Sequence, residues 1–165
     1  MSKEKIKTLS ELEQIVASIR KDNKGSKNER KTIVLANGCF DILHVGHVRY
    51  LEGAKHEGDV LIVALNSDSS SRALKGEGRP TTTLSERMEI IAAFECVDYV
   101  TCFEETNVVC VLLSLKPDVH AKGTDYTVDT VPERETVKQY GGRIAIVGDE
   151  KNHSSTDILN TMRNL

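Results

Sequence analysis

The sequence predicts an α/β fold, a Rossmann-like parallel sheet of five strands with helices on both faces. Short aliphatic runs alternate along the chain with stretches of helical periodicity. The runs are apolar at successive positions, so both of their faces are buried, as in a parallel sheet covered on both sides. The 165 residues, 39% of them apolar, suit one globular domain whose core needs neither a disulfide nor a structural metal.

Residues 1–31 read as an N-terminal helix and a charged linker, and residues 32–165 as the main domain. Thr8 and Glu11 form a capping box, and Leu12, Ile15, Val16 and Ile19 recur at i, i+3, i+4 and i+7. The stretch Lys21 to Lys31 (KDNKGSKNERK) is polar and charged, as linkers are. Thr32–Ala36 (TIVLA) is the first buried strand. A helix follows from Val45 to Glu57, ended by Gly58. Val60–Leu65 (VLIVAL) is the second strand, and a polar loop reaches Pro80. Thr83 and Glu86 cap a helix to Glu95, with Leu84, Met88, Ile91 and Ala92 on its apolar face. Val97–Cys102 is the third strand, and Thr106 to Lys116 a helix stopped by Pro117. Asp118–Ala121 is the fourth strand. Pro132 to Tyr140 is a helix with Gly141-Gly142 past its end. Arg143–Val147 (RIAIV) is the fifth strand, and a last helix starts near Ser154. Crossovers in such a sheet are right-handed, and ligands bind at the carboxyl ends of the strands near the topological switch point.

Composition excludes several classes of function. A net charge of −3 with 28% charged residues is not that of a polybasic nucleic-acid or membrane-surface protein. Aromatic residues make up 4% and Trp is absent, so a stacking platform for single strands is not expected. No apolar run is long enough to span a membrane, and MSKEKIKTLSELEQ lacks the apolar core of a signal peptide. Cys39, Cys96, Cys102 and Cys110 form no C-x-x-C and no zinc-type spacing with His. They read as reduced thiols in a cytoplasmic protein, with no metal held by side chains alone.

The strand ends carry the candidate chemistry. The first strand runs into Asn37-Gly38-Cys39-Phe40-Asp41-Ile42-Leu43-His44-Val45-Gly46-His47. A helix opening near Val45 puts His44 and His47 on one face of its first turn, beside free N–H groups and the positive end of the helix dipole. Such a turn binds phosphate, and two imidazoles there can donate to a phosphate whose charge grows in a transition state. Gly46 removes a side chain where a phosphate must come close, and Gly38 lets the chain turn beneath the ligand. An arbitrary H-x-G-H is more often two surface histidines; its place directly after a buried strand is what points to function. The second strand runs into Asn66-Ser67-Asp68, Arg72 and Lys75-Gly76-Glu77-Gly78-Arg79-Pro80, either a solvated loop or a mobile lid bringing positive charge onto a polyphosphate. Arg87 lies in the first turns of the next helix, where a lone Arg ordinarily faces water. After the fourth strand, Lys122-Gly123-Thr124-Asp125-Tyr126 offers polar groups to a hydroxyl or phosphate. After the fifth, Asn152-His153-Ser154-Ser155-Thr156-Asp157 is either a plain N-cap by Ser154 and Asp157 or three hydroxyls facing phosphate oxygens. Asp157 is expected to point away from any anion.

With His44-Val45-Gly46-His47 after the first strand and Ser154-Ser155-Thr156 opening the last helix, the chain resembles the H-x-G-H nucleotidyltransferase superfamily. The stretch NGCFDILHVGHVRYLEGAKHEGDVLIVALNSDSSSRALKGEGRP, with ERM at 86–88, FECVDYV, LKPDVHAKGTDY and HSSTDI, resembles more closely the adenylyltransferases that make ADP-heptose from D-glycero-β-D-manno-heptose 1-phosphate. The likeness runs from about Thr32 to the C-terminus and departs at Thr124, where Gly is more usual, and at Ser155, where Thr is. In many bacteria this activity is fused to a sugar kinase domain, for which these residues leave no room, so the resemblance implies the stand-alone form.

The resemblance implies ATP and heptose 1-phosphate as substrates, Mg²⁺ held mainly by phosphates and water, and a homodimer. It implies His44 and His47 at the α-phosphate, with Lys75 and Arg87 on polyphosphate or the acceptor phosphate. It places Asn37, Gly38, Cys39, Phe40, Asp41, Gly46 and Asn66 around the nucleotide. Lys122, Gly123 and Asp125 join them, with Ser154, Ser155 and Thr156 on the β- and γ-phosphates. Asp41, Thr124 and Tyr126 are expected near the acceptor. The residues leave open a glycerol-3-phosphate cytidylyltransferase, an FAD-synthase-like enzyme, and a non-catalytic nucleotide-binding module.

Overall fold

A computed structural model describes residues 2–22, 30–150 and 154–163, so residues 23–29 of the charged linker lie outside the described residues. After a 3₁₀ turn at Ser2–Lys5 come α1 (Leu9–Asp22), β1 (Ile33–Gly38), α2 (Val45–His56), β2 (Val60–Asn66), α3 (Asp68–Lys75) and α4 (Leu84–Ala92). Then follow β3 (Tyr99–Phe103), α5 (Val109–Leu115), β4 (Val119–Gly123), α6 (Arg134–Gln139), β5 (Arg143–Val147) and α7 (Ser155–Arg163). The five strands form one sheet in the order β3-β2-β1-β4-β5, parallel at every pairing. The order reverses between β1 and β4, which is the topological switch point.

The twofold alternation of side chains along a strand divides the core in two. Val34 and Ala36 of β1 and Leu61, Val63 and Leu65 of β2 pack against Leu51 and Ala54 of α2 and Met88, Ile91 and Ala92 of α4. On the other face, Ile33, Leu35, Ile62 and Ala64 meet Leu12 and Val16 of α1, Val111, Leu112 and Leu115 of α5, and Val137 of α6. This double burial is why the strands read as continuous apolar runs.

Helix α1 keeps its predicted cap, with the Thr8 N–H donating to Glu11 Oε2 at 2.8 Å. Its Leu12 is fully buried in the second core. Leu12→Ala should therefore lower the unfolding free energy by about 2–5 kcal/mol, the range for emptying a packed aliphatic site. Urea denaturation of the variant measures it.

Two features differ from the sequence-based expectation. Residues 68–75, expected as loop, are helix α3. Ser67 Oγ accepts from Ser70 N–H, and Gly76 at φ +92° ends the helix in a conformation that favours glycine. The buried positions of α3 are Ser70 and Ser71, so it shows no apolar period. The N-terminal segment also reaches the sheet: Ile6 makes a parallel bridge to Val100, and Lys7 N–H donates to the Val100 carbonyl at 2.8 Å.

Candidate active site

A cavity of about 760 Å³ opens at the carboxyl ends of the strands on either side of the switch point. Its floor is Asn37, Gly38, Asn66, Lys122 and Gly123, and His44, Gly46, His47 and Tyr50 of the α2 segment form one wall. Lys75, Asp41, Cys39 and Phe40 reach it from one side, and Thr124, Asp125, Tyr126, Ser154, Ser155 and Thr156 from the other.

His44 is the N-cap of α2 and His47 its third residue, so the two rings share one face of the first turn. Their centroids are 3.9 Å apart, with planes inclined at 31°. His47 Nδ1 accepts the His44 backbone N–H at 3.3 Å, which leaves the proton of the neutral ring on Nε2. The Phe40 ring packs 5.4 Å from His47. Burial, then the neighbouring charges of His44 and Lys75, push His47 down from 6.5 to about 4. The ring is thus a neutral donor at physiological pH. His120, enclosed in β4, is pushed down to about 3 by burial and by Lys122.

His47 and His120 both protonate more readily in the unfolded chain, which therefore binds more protons at pH values between their folded and unfolded pKa. The pair leaves stability full above about pH 6.5 and erodes it as pH falls, His47 down to about 4 and His120 down to about 3. Urea midpoints measured as a function of pH should show that slope, and His47→Gln should remove about half of it, leaving the part due to His120.

The loop after β1 is shaped by packing. Phe40 has φ +47°, and its ring folds back so that a Cβ at position 38 would lie 3.2 Å from it. The position therefore favours glycine. Asp41 is buried, and its Oδ1 accepts from Thr81 N–H, Thr81 Oγ1 and Thr82 N–H, while Oδ2 accepts from Arg79 Nε. Burial alone would raise this carboxyl, but the hydrogen bonds from Thr81 and Arg79 hold it below the usual carboxylate range. Asp41 thus clamps the segment after Gly78 onto the first loop.

The structure sets Arg87 apart from the other candidates. Its guanidinium is 0% exposed and lies under the cavity rather than on its lining. It donates to the carbonyls of Thr82, Cys39 and Asn66 and to Asp68 Oδ1 at 2.7 Å. Arg87 thus braces the loops after β1 and β2, with four of its five N–H donors taken by protein groups. Lys75, by contrast, ends α3 on the cavity wall, exposed.

On the far side, Lys122 Nζ lies 3.5 Å from Asn37 Oδ1 and 4.8 Å above the Tyr126 ring. His120 Nε2 sits 3.2 Å from the same Asn37 oxygen, and the Tyr50 hydroxyl donates to the Ala121 carbonyl at 2.9 Å while accepting from Asn37 N–H. Thr124 Oγ1 donates to the Asp149 carbonyl at 2.6 Å. Ser154 donates to Asp157 Oδ2 at 2.6 Å and accepts Asp157 N–H, so it is a helix cap, and Asp157 faces the cap. Ser155 gives its proton to the Ile42 carbonyl. A hydroxyl has one proton, so Ser154 and Ser155 have none left to give, and the first turn of α7 offers its backbone N–H groups instead. Asn152 and His153 lie outside the described residues.

Tyr50 and Glu133 also line the cavity, although sequence reasoning does not single them out, and Arg79 of the expected cationic loop lines it while bonded to Asp41. Tyr50 was within reach, three residues beyond His47 on the same helical face; Glu133 sits far from any motif. Among the described residues no three His, Cys, Asp or Glu side chains come together to hold a metal ion, and both Asp41 oxygens are engaged. The described residues therefore offer no cage for Mg²⁺.

The fold is a Rossmann-like α/β domain with its cavity at the topological switch point. The chain belongs to the cytidylyltransferase-like family, whose model matches residues 35–161. It is 45% identical over 155 residues to the bifunctional protein HldE of Geobacter sulfurreducens, an alignment covering 94% of this chain and 30% of that protein. It is 49% identical over 133 residues to HldE of Pelobacter propionicus, covering 81% and 27%. The chain thus spans about 30% of the length of such curated relatives. Among solved structures, the lipopolysaccharide core biosynthesis protein of Thermoplasma volcanium superposes with a TM-score of 0.64 at 28% identity, over 73% of this chain and 99% of that one. Pantoate-beta-alanine ligase of Francisella tularensis shares the fold at 19% identity and a TM-score of 0.51, over 97% of this chain and 78% of that one. No helix among the described residues is long and apolar enough to cross a membrane.

Proposed function

We propose that residues 32–165 transfer AMP from ATP to D-glycero-β-D-manno-heptose 1-phosphate, forming ADP-heptose and pyrophosphate. The observation that carries this reading is the closely packed His44–His47 pair at the N-terminus of α2, facing a cavity that Lys75 also lines. An oxygen of the acceptor phosphate attacks the α-phosphorus in line, and the bond to pyrophosphate breaks. The nucleophile is already an anion, so no general base is required, and catalysis is positioning and charge stabilisation. His47 donates from Nε2 and His44 beside it to the α-phosphate oxygens. Lys75 and the first turn of α7 take the charge of the leaving pyrophosphate. Asn37, Gly38, Cys39, Phe40, Gly46, Asn66, Lys122, Gly123 and Asp125 surround the nucleotide, with Thr124 and Tyr126 toward the acceptor. Asp41 and Arg87 hold this frame without touching ligand. Mg²⁺, when bound, would be held mainly by the nucleotide phosphates and water and would offset their charge.

The sequence resemblance and the HldE relatives support the heptose acceptor, and the Thermoplasma lipopolysaccharide core biosynthesis protein points the same way. The four free cysteines agree with a reducing, cytoplasmic setting, and the resemblance supports a homodimer. Pyrophosphate release measured with ATP, CTP, GTP and UTP against a panel of sugar and polyol phosphates tests the assignment. ATP with heptose 1-phosphate should give a kcat/KM at least about tenfold above CTP with glycerol 3-phosphate, a gap of about 1.4 kcal/mol. The opposite preference would replace the heptose assignment and leave the transfer chemistry standing.

A further inference from the structure

One charged group on the cavity wall has no part in the transfer described above. Glu133 is 6% exposed and lines the cavity. Its carboxylate makes no hydrogen bond among the described residues, and its Oε2 is fully enclosed. Its charged neighbour is Lys122, whose Nζ lies 3.7 Å from Oε2, too far for a good hydrogen bond. Lys122 is itself 8% exposed. Two opposite charges, both largely removed from water, thus stand side by side with unused hydrogen-bonding capacity. A buried carboxylate without a hydrogen bond is costly, and a ligand that supplies the donor relieves that cost.

The chemistry of the pair limits what the ligand is. An ionised carboxylate only accepts and an ammonium only donates. A phosphate would satisfy Lys122 and be repelled by Glu133. A vicinal diol satisfies both: one hydroxyl gives its proton to the carboxylate, and the oxygen of the next accepts from the ammonium. We propose that Lys122 and Glu133 form a vicinal-diol subsite that selects a polyhydroxylated ligand. The proposal rests on the nucleotidyl-transfer reading, in which two ligands carry such a diol, the ribose of the nucleotide and the ring of the acceptor sugar.

Calorimetric titration separates the sources. The full chain is titrated with ATP and its 2′-deoxy and 3′-deoxy forms, and with heptose 1-phosphate and its 2-deoxy and 3-deoxy forms. The wild type should prefer the intact diol by about tenfold or more in one series. Glu133→Gln keeps the side-chain size, removes the charge, and should cut that preference below about threefold; loss in the ATP series assigns the subsite to ribose, and loss in the sugar series to the acceptor. Circular dichroism checks the fold, and Lys122→Gln reads the same preference should Glu133→Gln fold poorly. Unchanged preferences in both series, in a folded variant, overturn the proposal. Intact pyrophosphate release with no diol effect would sink the subsite alone, whereas a diol preference without pyrophosphate release would sink the transfer reading alone.

Discussion

Alanine at His44 or His47 should lower kcat by about 10²–10³-fold, or about 2.7–4 kcal/mol of transition-state stabilisation. The cause is electrostatic. As the bond to pyrophosphate stretches, charge builds on oxygens that must be met by donors already in place. The rings are held against each other, and His47 is further fixed through its Nδ1 contact and the Phe40 ring, so little reorganisation accompanies the reaction. The thermal midpoint should change little for His44→Ala, because that ring sits at the helix start. Single-turnover kinetics would separate the chemical step from product release. Near-normal turnover in either variant would remove these rings from the reacting phosphate.

Arg87→Met should cost about 3–5 kcal/mol of folding free energy, the range for breaking a buried charged network. Its guanidinium joins three backbone carbonyls and Asp68, and methionine replaces its stem but none of its donors. Arg87→Lys should recover only part of the loss, since one ammonium cannot span the planar fork. Asp68→Asn should cost far less, because the Asp68 side chain is 42% exposed. Urea denaturation of the set gives the comparison. A midpoint unchanged in Arg87→Met together with a lost ATP affinity would place the guanidinium on the ligand instead.

These two sites show how much the sequence reveals and where it stops. The strands were legible because both faces are buried, so the apolar runs around Leu35 and Ile62 needed no alternation to be recognised. The histidine pair was legible because spacing and position after β1 together fix its face. Arg87 was not, because an arginine on a helix looks the same whether it meets water or three distant carbonyls. Helix α3 was missed because it buries serines, and its signals lie in the Ser67 cap and Gly76 rather than in a hydrophobic period. Glu133 is brought to the cavity by the turn before α6, which no local pattern specifies. Ser154 and Ser155 line the cavity, yet their hydroxyl protons go to Asp157 and the Ile42 carbonyl, a matter of tertiary geometry.

The contact between Ile6 and Val100 has a consequence for how the molecule keeps to itself. Strand β3 ends the sheet, and the outward row of peptide groups on such a strand is a template onto which another chain can add. The bridge at Ile6, with Lys7 N–H on the Val100 carbonyl, occupies part of that row, and Lys5 Nζ fastens the segment through the Phe94 carbonyl. Residues 2–7 therefore act as a guard against edge-to-edge aggregation. Trimming them would expose a border from which misassembly can start.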